Sequence, residues 1–269
     1  MIRYAANVSI AFKEYPFYDR FQRAADFGFR AVEFMSPFAY DVDQVARAIH
    51  ASGLQVVQFN VADGNIAGGE RGFASHPQRR QEWRDELLRG IDLAVKLGAR
   101  QINSLVGCVI PGIAREMQIS YLVDNLQWAD QHLSAAKLPL MIEALNPHDN
   151  PGYLLQYSRE VIEVMDQAGS KWVMFQYDVY HMQRVEGDLV RHIREYLPRI
   201  GHIQIADNPG RHQPGTGEIN YRFVLGALDE AGYDRYVGLE YVPLTTTEAS
   251  FDWLPRDKRI ASTAADLRL

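Results

Sequence analysis

Four short apolar stretches in the second half of the chain each carry one group that is costly to bury: Glu143 in MIEALN, Asp178 in QYDVYH, Gln204 in HIQIAD and Glu240 in GLEYVP. Their neighbours alternate as a strand requires. The four side chains should therefore point away from Ile142 and Ala144, Tyr177 and Val179, Ile203 and Ile205, and Leu239 and Tyr241. A lone buried strand carboxylate is usually salt-bridged or acts as a cap; a series on successive strands asks for another explanation. Three carboxylates brought to one point repel one another and do not all ionise unaided. An unpaired charge in a low-dielectric interior is very costly. A divalent cation resolves the conflict, and oxygen donors from Glu143, Asp178, Gln204 and Glu240 suit Mg²⁺ or Mn²⁺ better than a thiolate-seeking ion.

Such a site needs a frame that delivers strand ends to one place. Strand-like runs recur as YAANVSI, AVEFMS, QVVQFNVA, RQINSLVG, PLMIEALN, VMFQYDVYH, GHIQIAD and YVGLEYVP. Amphipathic stretches separate them: Phe17, Phe21, Ala24 and Ala25 share one helical face, as do Leu122, Leu126 and Ala129. Gly28, Gly53, Gly98, Gly169 and Gly232 each stand just before a strand, where a left-handed residue ends a helix. Eight strands alternating with helices predict an α/β fold, a single (β/α)8 TIM barrel over residues 1–269. An open doubly wound sheet is the alternative, weakened because no strand is followed by a glycine-rich phosphate loop. GNIAGGERG, from Gly64 to Gly72, reads as an active-site lid. The stretch after Pro243, TTTEASFDWLPRDKR, has little helical period. In a barrel the chemistry sits at the C-terminal strand ends, where the four polar groups lie.

Composition narrows the function. The formal net charge of −6 and pI of about 5.8 argue against a phosphate backbone as main partner, so no nucleic acid is expected. The single cysteine, Cys108, permits no intrachain disulfide and reads as a small apolar residue near a strand end. No signal-like or membrane-spanning apolar run is present, so a cytoplasmic protein without a membrane partner is expected. Barrels of this size are often dimers or tetramers, which leaves a homo-oligomer open.

The series of acids, with YAANVSI, FRAVEFMSPF, IEALNP, YDVYHMQ, GEINY and GLEY along nearly the whole chain, resembles the hydroxypyruvate-isomerase group of the xylose-isomerase-like TIM barrels. Related branches are the 2-oxo-tetronate isomerases and ketose 3-epimerases. The resemblance implies an aldose–ketose type isomerase, an intramolecular oxidoreductase, in which Glu143 and Glu240 are paired proton-transfer glutamates that also hold the metal. Asp178 and Gln204 then match the remaining ligands. Ketose epimerases carry histidine where Gln204 stands, which turns the expected substrate towards a small hydroxy-keto acid rather than a free sugar. Hydroxypyruvate to tartronate semialdehyde, or a 2-oxo-tetronate, is the expected conversion.

An enediolate route moves one proton between neighbouring carbons, and carboxylates can take and return it. His181 is expected at the strand end, bonded to a substrate oxygen. Three carboxylates and one divalent ion leave about one negative charge, so an anionic substrate needs a cation nearby. Arg211 in DNPGRHQPGTGEINY is the first candidate and Arg71 in GGERG the second. Glu70 reads as solvated, Asn220 as a helix cap, and His148 as a residue near the mouth. His50, His132 and His192 read as surface or packing residues, Trp83 and Trp128 as helix-face packing. His202 lies deeper on the Gln204 face. Two other classes share the features: an apurinic-site endonuclease, whose trinuclear zinc site needs more strand-end histidines, and a sugar-binding protein without catalysis.

Overall fold

The structure, a computed structural model, describes all 269 residues. Strands β1 (Ile2–Asn7), β2 (Ala31–Phe34), β3 (Gln55–Val61), β4 (Ile102–Ser104), β5 (Leu140–Glu143), β6 (Val173–Asp178), β7 (Ile200–Ile205) and β8 (Tyr236–Leu239) pair in parallel, each with the next. β1 pairs with both β8 and β2, which closes the barrel. Helices α1 (Asp19–Asp26), α2 (Val42–Ser52), α3 (Arg80–Leu97), α4 (Arg115–Ala136), α5 (Ser158–Ala168), α6 (Val179–Val185), α7 (Leu189–Tyr196) and α8 (Tyr221–Glu230) lie between successive strands. The chain is a TIM barrel. No helix is long and apolar enough to cross a membrane.

The glycine stops are left-handed at every predicted position, with φ of 97° at Gly28, 66° at Gly53, 61° at Gly98, 66° at Gly169 and 78° at Gly232. α4 ends instead on Lys137, a left-handed non-glycine residue that gave no such signal. Asn220 caps α8, its Oδ1 accepting from the Phe223 amide at 3.1 Å. After β8 no α-helix forms. Short 3₁₀ turns at Ala249–Phe251 and Arg256–Lys258 cover that flank, and Phe251 packs on Phe12, Phe27 and Phe29. A two-residue strand, β9 (Ala261–Ser262), then pairs antiparallel with Ile2 and Arg3, the part of β1 that β2 leaves free by entering only at Ala6.

The apolar core lies outside the barrel wall, as one contiguous cluster between strands and helices. The barrel interior is polar instead of filled by branched aliphatics, the usual solution. Gln101 Nε2 donates to Gln58 Oε1 at 3.1 Å, Gln58 Nε2 to Gln176 Oε1 at 2.6 Å, and Gln176 Nε2 to Glu143 Oε2 at 2.7 Å and Gln204 Oε1 at 2.8 Å. Gln204 Nε2 continues to Glu33 Oε1 at 2.8 Å, and Glu33 also takes Asn7 Nδ2 at 3.1 Å and His202 Nε2 at 2.6 Å. These groups partner one another both between adjacent strands and across the barrel, which keeps the cost of burial low. Register shifts between Val32 and Glu33 and between Phe175 and Gln176 sit beside these residues, as expected of bulges that re-aim side chains.

Glu33 fits only because β8 carries glycine opposite it. A Cβ on Gly238 would lie 2.3 Å from Glu33 Oε2. Gly238→Ala should therefore destabilise the protein by about 1–3 kcal/mol, the usual range for overpacking. Urea unfolding checks this; an unchanged midpoint would mean that Glu33 has room to retreat.

Candidate active site

The C-terminal mouth of the barrel holds a cavity of about 270 Å³, lined by Glu143, His181, Gln204, Arg211 and Glu240 among others. β5 and β7 deliver Glu143 and Gln204 directly, and Glu240 follows the last residue of β8. Asp178 ends β6 just beneath and is only 1% exposed.

Asp178 also begins α6. Its Oδ1 accepts from the Tyr180 amide at 2.8 Å and the His181 amide at 3.4 Å, an N-cap that converts strand to helix at once. The sequence expectation of a strand running to His181 is corrected here. His181 occupies the first turn of α6, because the cap at Asp178 ends the extended chain three residues early. The turn swings the imidazole back over its own cap, with Nε2 at 3.5 Å from Asp178 Oδ2. Its Nδ1 is 2.6 Å from Asn146 Nδ2, which fixes the ring. Glu143, Asp178 and His181 bring potential ligand atoms within 4.8 Å of one another.

The other two expected ligands are engaged differently. Gln204 Oε1 accepts from Gln176. Glu240 Oε2 accepts from Arg211 Nη2 at 2.5 Å, and the same nitrogen lies 3.5 Å from Asp178 Oδ2. Arg211, expected to face a substrate carboxylate, thus faces the protein's own acids. Its backbone is left-handed, φ 56°, in the loop that follows β7.

The electrostatics follow from this crowding. Burial raises the Glu143 pKa well above the carboxylate range, and the charges of Asp178 and Glu240 push it further. Burial lifts Glu240 to about 7 even though Arg211 pulls it down. Burial lowers His181 to about 4, so the ring is neutral at pH 7, with Nδ1 accepting from Asn146 and Nε2 turned to Asp178. Burial disfavours the Arg211 charge, but Glu240, Asp178 and Glu143 more than compensate and keep it ionised. One guanidinium does not neutralise three carboxylates, and this imbalance adds to burial in raising the Glu143 pKa. Carboxylates on the adjacent strands β5 and β6, with the His181 imidazole beside them, fit a divalent metal ion in donor type and spacing.

Around this centre the loops are fixed by their own contacts. Arg71 lines the cavity, with Nε on Asn150 Oδ1 at 2.8 Å. Glu70 turns away from it to Arg79 Nη1 at 2.8 Å and the Asn65 amide at 2.6 Å, so it shapes the loop. His148 and His50 are exposed, His132 lies against Trp128, and His192 sits 3.4 Å from Glu186. His202 reaches Gln204 through Glu33. Trp83 is core, its indole donating to Ser104 Oγ at 3.0 Å.

Sequence reasoning missed Gln176, Glu33, Gln58 and Asp63. A signal existed for Gln176, two residues before Asp178 and hence on the same face of β6. Glu33 in AVEFMS shows the same flanking by apolar residues as Glu143. Asp63 follows β3 in a loop and had none; burial raises its pKa to about 7.

Comparison with known proteins agrees with the barrel fold. Residues 21–257 match the family model described as xylose isomerase-like TIM barrel. The chain is 42% identical to hydroxypyruvate isomerase of Escherichia coli over 94% of its own length and 98% of that protein. It is 37% identical to 2-oxo-tetronate isomerase of Pectobacterium atrosepticum, over 94% and 97% respectively. A crystal structure titled AP endonuclease, family 2, from Brucella melitensis superposes with a TM-score of 0.91 at 36% identity, covering 94% of this chain and 98% of that one. The chain belongs to the xylose isomerase-like TIM barrel family.

Proposed function

We propose that the protein is a divalent-metal-dependent isomerase of a small α-hydroxy carbonyl acid, interconverting hydroxypyruvate and tartronate semialdehyde or acting on a 2-oxo-tetronate. The carrying observation is the convergence of Glu143, Asp178 and His181 within 4.8 Å, beside Glu240 and Arg211, at the floor of a cavity of about 270 Å³. That volume suits a three- or four-carbon acid. Relatives named hydroxypyruvate isomerase and 2-oxo-tetronate isomerase support this substrate class.

Glu143, Asp178 and Glu240 would hold Mg²⁺ or Mn²⁺, with Gln204 or His181 completing the set. When bound, such an ion supplies Lewis-acid stabilisation of negative charge developing on substrate oxygens. The two glutamates do the proton work. Arg211 pulls the Glu240 pKa back towards 7, and no cation bonds Glu143, so the pair offers one better base and one better acid. Glu240 takes the proton from the hydroxymethyl carbon, and Glu143 returns one to the neighbouring carbonyl carbon. Between the two transfers the hydroxyl proton moves from the C3 oxygen to the C2 oxygen of the enediolate, so the isomers balance, and the reverse reaction exchanges the roles of the two glutamates. Arg211 keeps Nη2 on Glu240 and offers its unpartnered Nε side to the substrate carboxylate, which sets the substrate's orientation. His181, neutral and held by Asn146, is placed beside the reacting oxygens.

Glu143→Gln and Glu240→Gln should each lower kcat by about 10²–10⁴-fold, the span of general acid–base catalysis. Loss of solvent-deuterium incorporation into recovered substrate should accompany it; exchange at the wild-type rate in either variant would remove that residue from the proton path. Arg211→Gln should raise KM for hydroxypyruvate about 10–100-fold, the worth of a charged hydrogen bond. If kcat alone falls, Arg211 does not hold the carboxylate.

Chelation should abolish turnover, and Mn²⁺ should restore it. Because Glu240 titrates near 7 and Glu143 above its usual range, both bind protons that a metal must displace. Mn²⁺ affinity measured by titration calorimetry should therefore rise with pH up to and through about 7, with proton release. A pH-independent affinity would argue against these ligands. Turnover of free ketoses only would favour a 3-epimerase, and cleavage of abasic DNA would favour a nuclease.

A further inference from the structure

The opposite, N-terminal mouth of the barrel holds a second cavity of about 270 Å³. Arg3 of β1, Arg100 ahead of β4 and Arg235 ahead of β8 stand on its wall, with Tyr236 and His202. None of the three arginines is ion-paired. Arg3 and Arg100 lie over the Tyr236 ring at 4.9 and 5.4 Å from its centroid. Arg235 has only weak contacts, to Gly201 O at 3.4 Å and Met174 Sδ at 3.2 Å. Asp234 is the one carboxylate on the rim, so the mouth is locally positive in a chain whose formal net charge is −6. Such a concentration of unpaired guanidinium is not explained by packing or by the chemistry at the other end.

His202 gives a second, independent observation. It is fully buried, its Nε2 is committed to Glu33, and its Nδ1 has no hydrogen-bond partner. A buried polar atom left unpaired costs stability, and in native structures it usually meets a water, ion or ligand. Here it belongs to the wall of a basic cavity.

We propose that this mouth is a binding site for a phosphate group, free or carried on a small monoester. Guanidinium groups recognise oxyanions through paired N–H donors, and a tetrahedral oxyanion presents more acceptor oxygens than the two of a carboxylate. Three arginines arriving from separate strands can each take one. His202, buried in the wall behind the arginines, lies close enough to register the anion's charge, although its Nδ1 is out of solvent reach. The ring of Tyr236 holds two of the guanidiniums in place by cation–π attraction before the anion arrives.

The test uses metal-free full-length protein labelled with ¹⁵N-histidine, titrated with inorganic phosphate and separately with methyl phosphate, with chloride matched for ionic strength. Saturable movement of the His202 imidazole nitrogens is expected. Arg100→Gln combined with Arg235→Gln should weaken it by about tenfold or more, because two charge-assisted contacts are lost. Arg211→Gln, at the other mouth, should leave it unchanged. Tighter binding of methyl phosphate identifies the monoester as the ligand, and equal binding identifies phosphate itself. No saturable shift, or a shift abolished by Arg211→Gln but not by the paired arginine variant, overturns the proposal. Circular dichroism of the double variant confirms folding, and Arg100→Gln alone, at an exposed position, gives the same direction with a smaller change.

Discussion

The site is governed by an unbalanced sum of charges. Glu143, Asp178 and Glu240 are drawn into one dry mouth by the strands that carry them, and Arg211 returns only one positive charge. The backbone amides at the start of α6 relieve part of the strain on Asp178, and Gln176 relieves part of that on Glu143. The rest appears as raised carboxyl pKa values. On the metal-dependent reading proposed above, a divalent cation would supply the charge that Arg211 alone does not.

Holding acids so close demands a rigid support beneath them, and the barrel supplies it in polar form. Glutamine amides run in series across the barrel, from Gln101 just ahead of β4 through Gln58 of β3 and Gln176 of β6 to Gln204 of β7. Each amide both donates and accepts, so orientation passes along the chain, and Glu33 with His202 ends it. An aliphatic interior would pack as densely but would not dictate which carboxylate oxygen faces the cavity. The stability of the domain then rests on the apolar layer outside the strands, which leaves the interior free to serve the site.

Much of this was legible in the residues, because period-two alternation and helix-ending glycines are local signals. All eight strands and five left-handed glycines followed from them. The four polar strand ends were visible for the same reason. The helix at His181 was not, since VMFQYDVYH is rich in β-branched and aromatic residues to its end, and only the capping role of Asp178 breaks the strand. Arg211 was visible as a cation near the mouth, but its partner was not, because a left-handed loop conformation decides which way it turns. Gln176 and Glu33 went unread although alternation pointed at them; attention to strand ends overlooked the layer beneath.

The pairing of β9 with Ile2 and Arg3 has a consequence for how copies of the molecule meet. β2 joins β1 only from Ala6 onward, so those first residues present main-chain donors and acceptors sideways. Ala261 and Ser262 stopper that seam, and Tyr4 fastens the stopper through its hydroxyl at 2.7 Å from Ser262 Oγ. A chain clipped before residue 261 would bare a short ribbon edge, the kind of surface on which unrelated strands zip together and drive proteins out of solution.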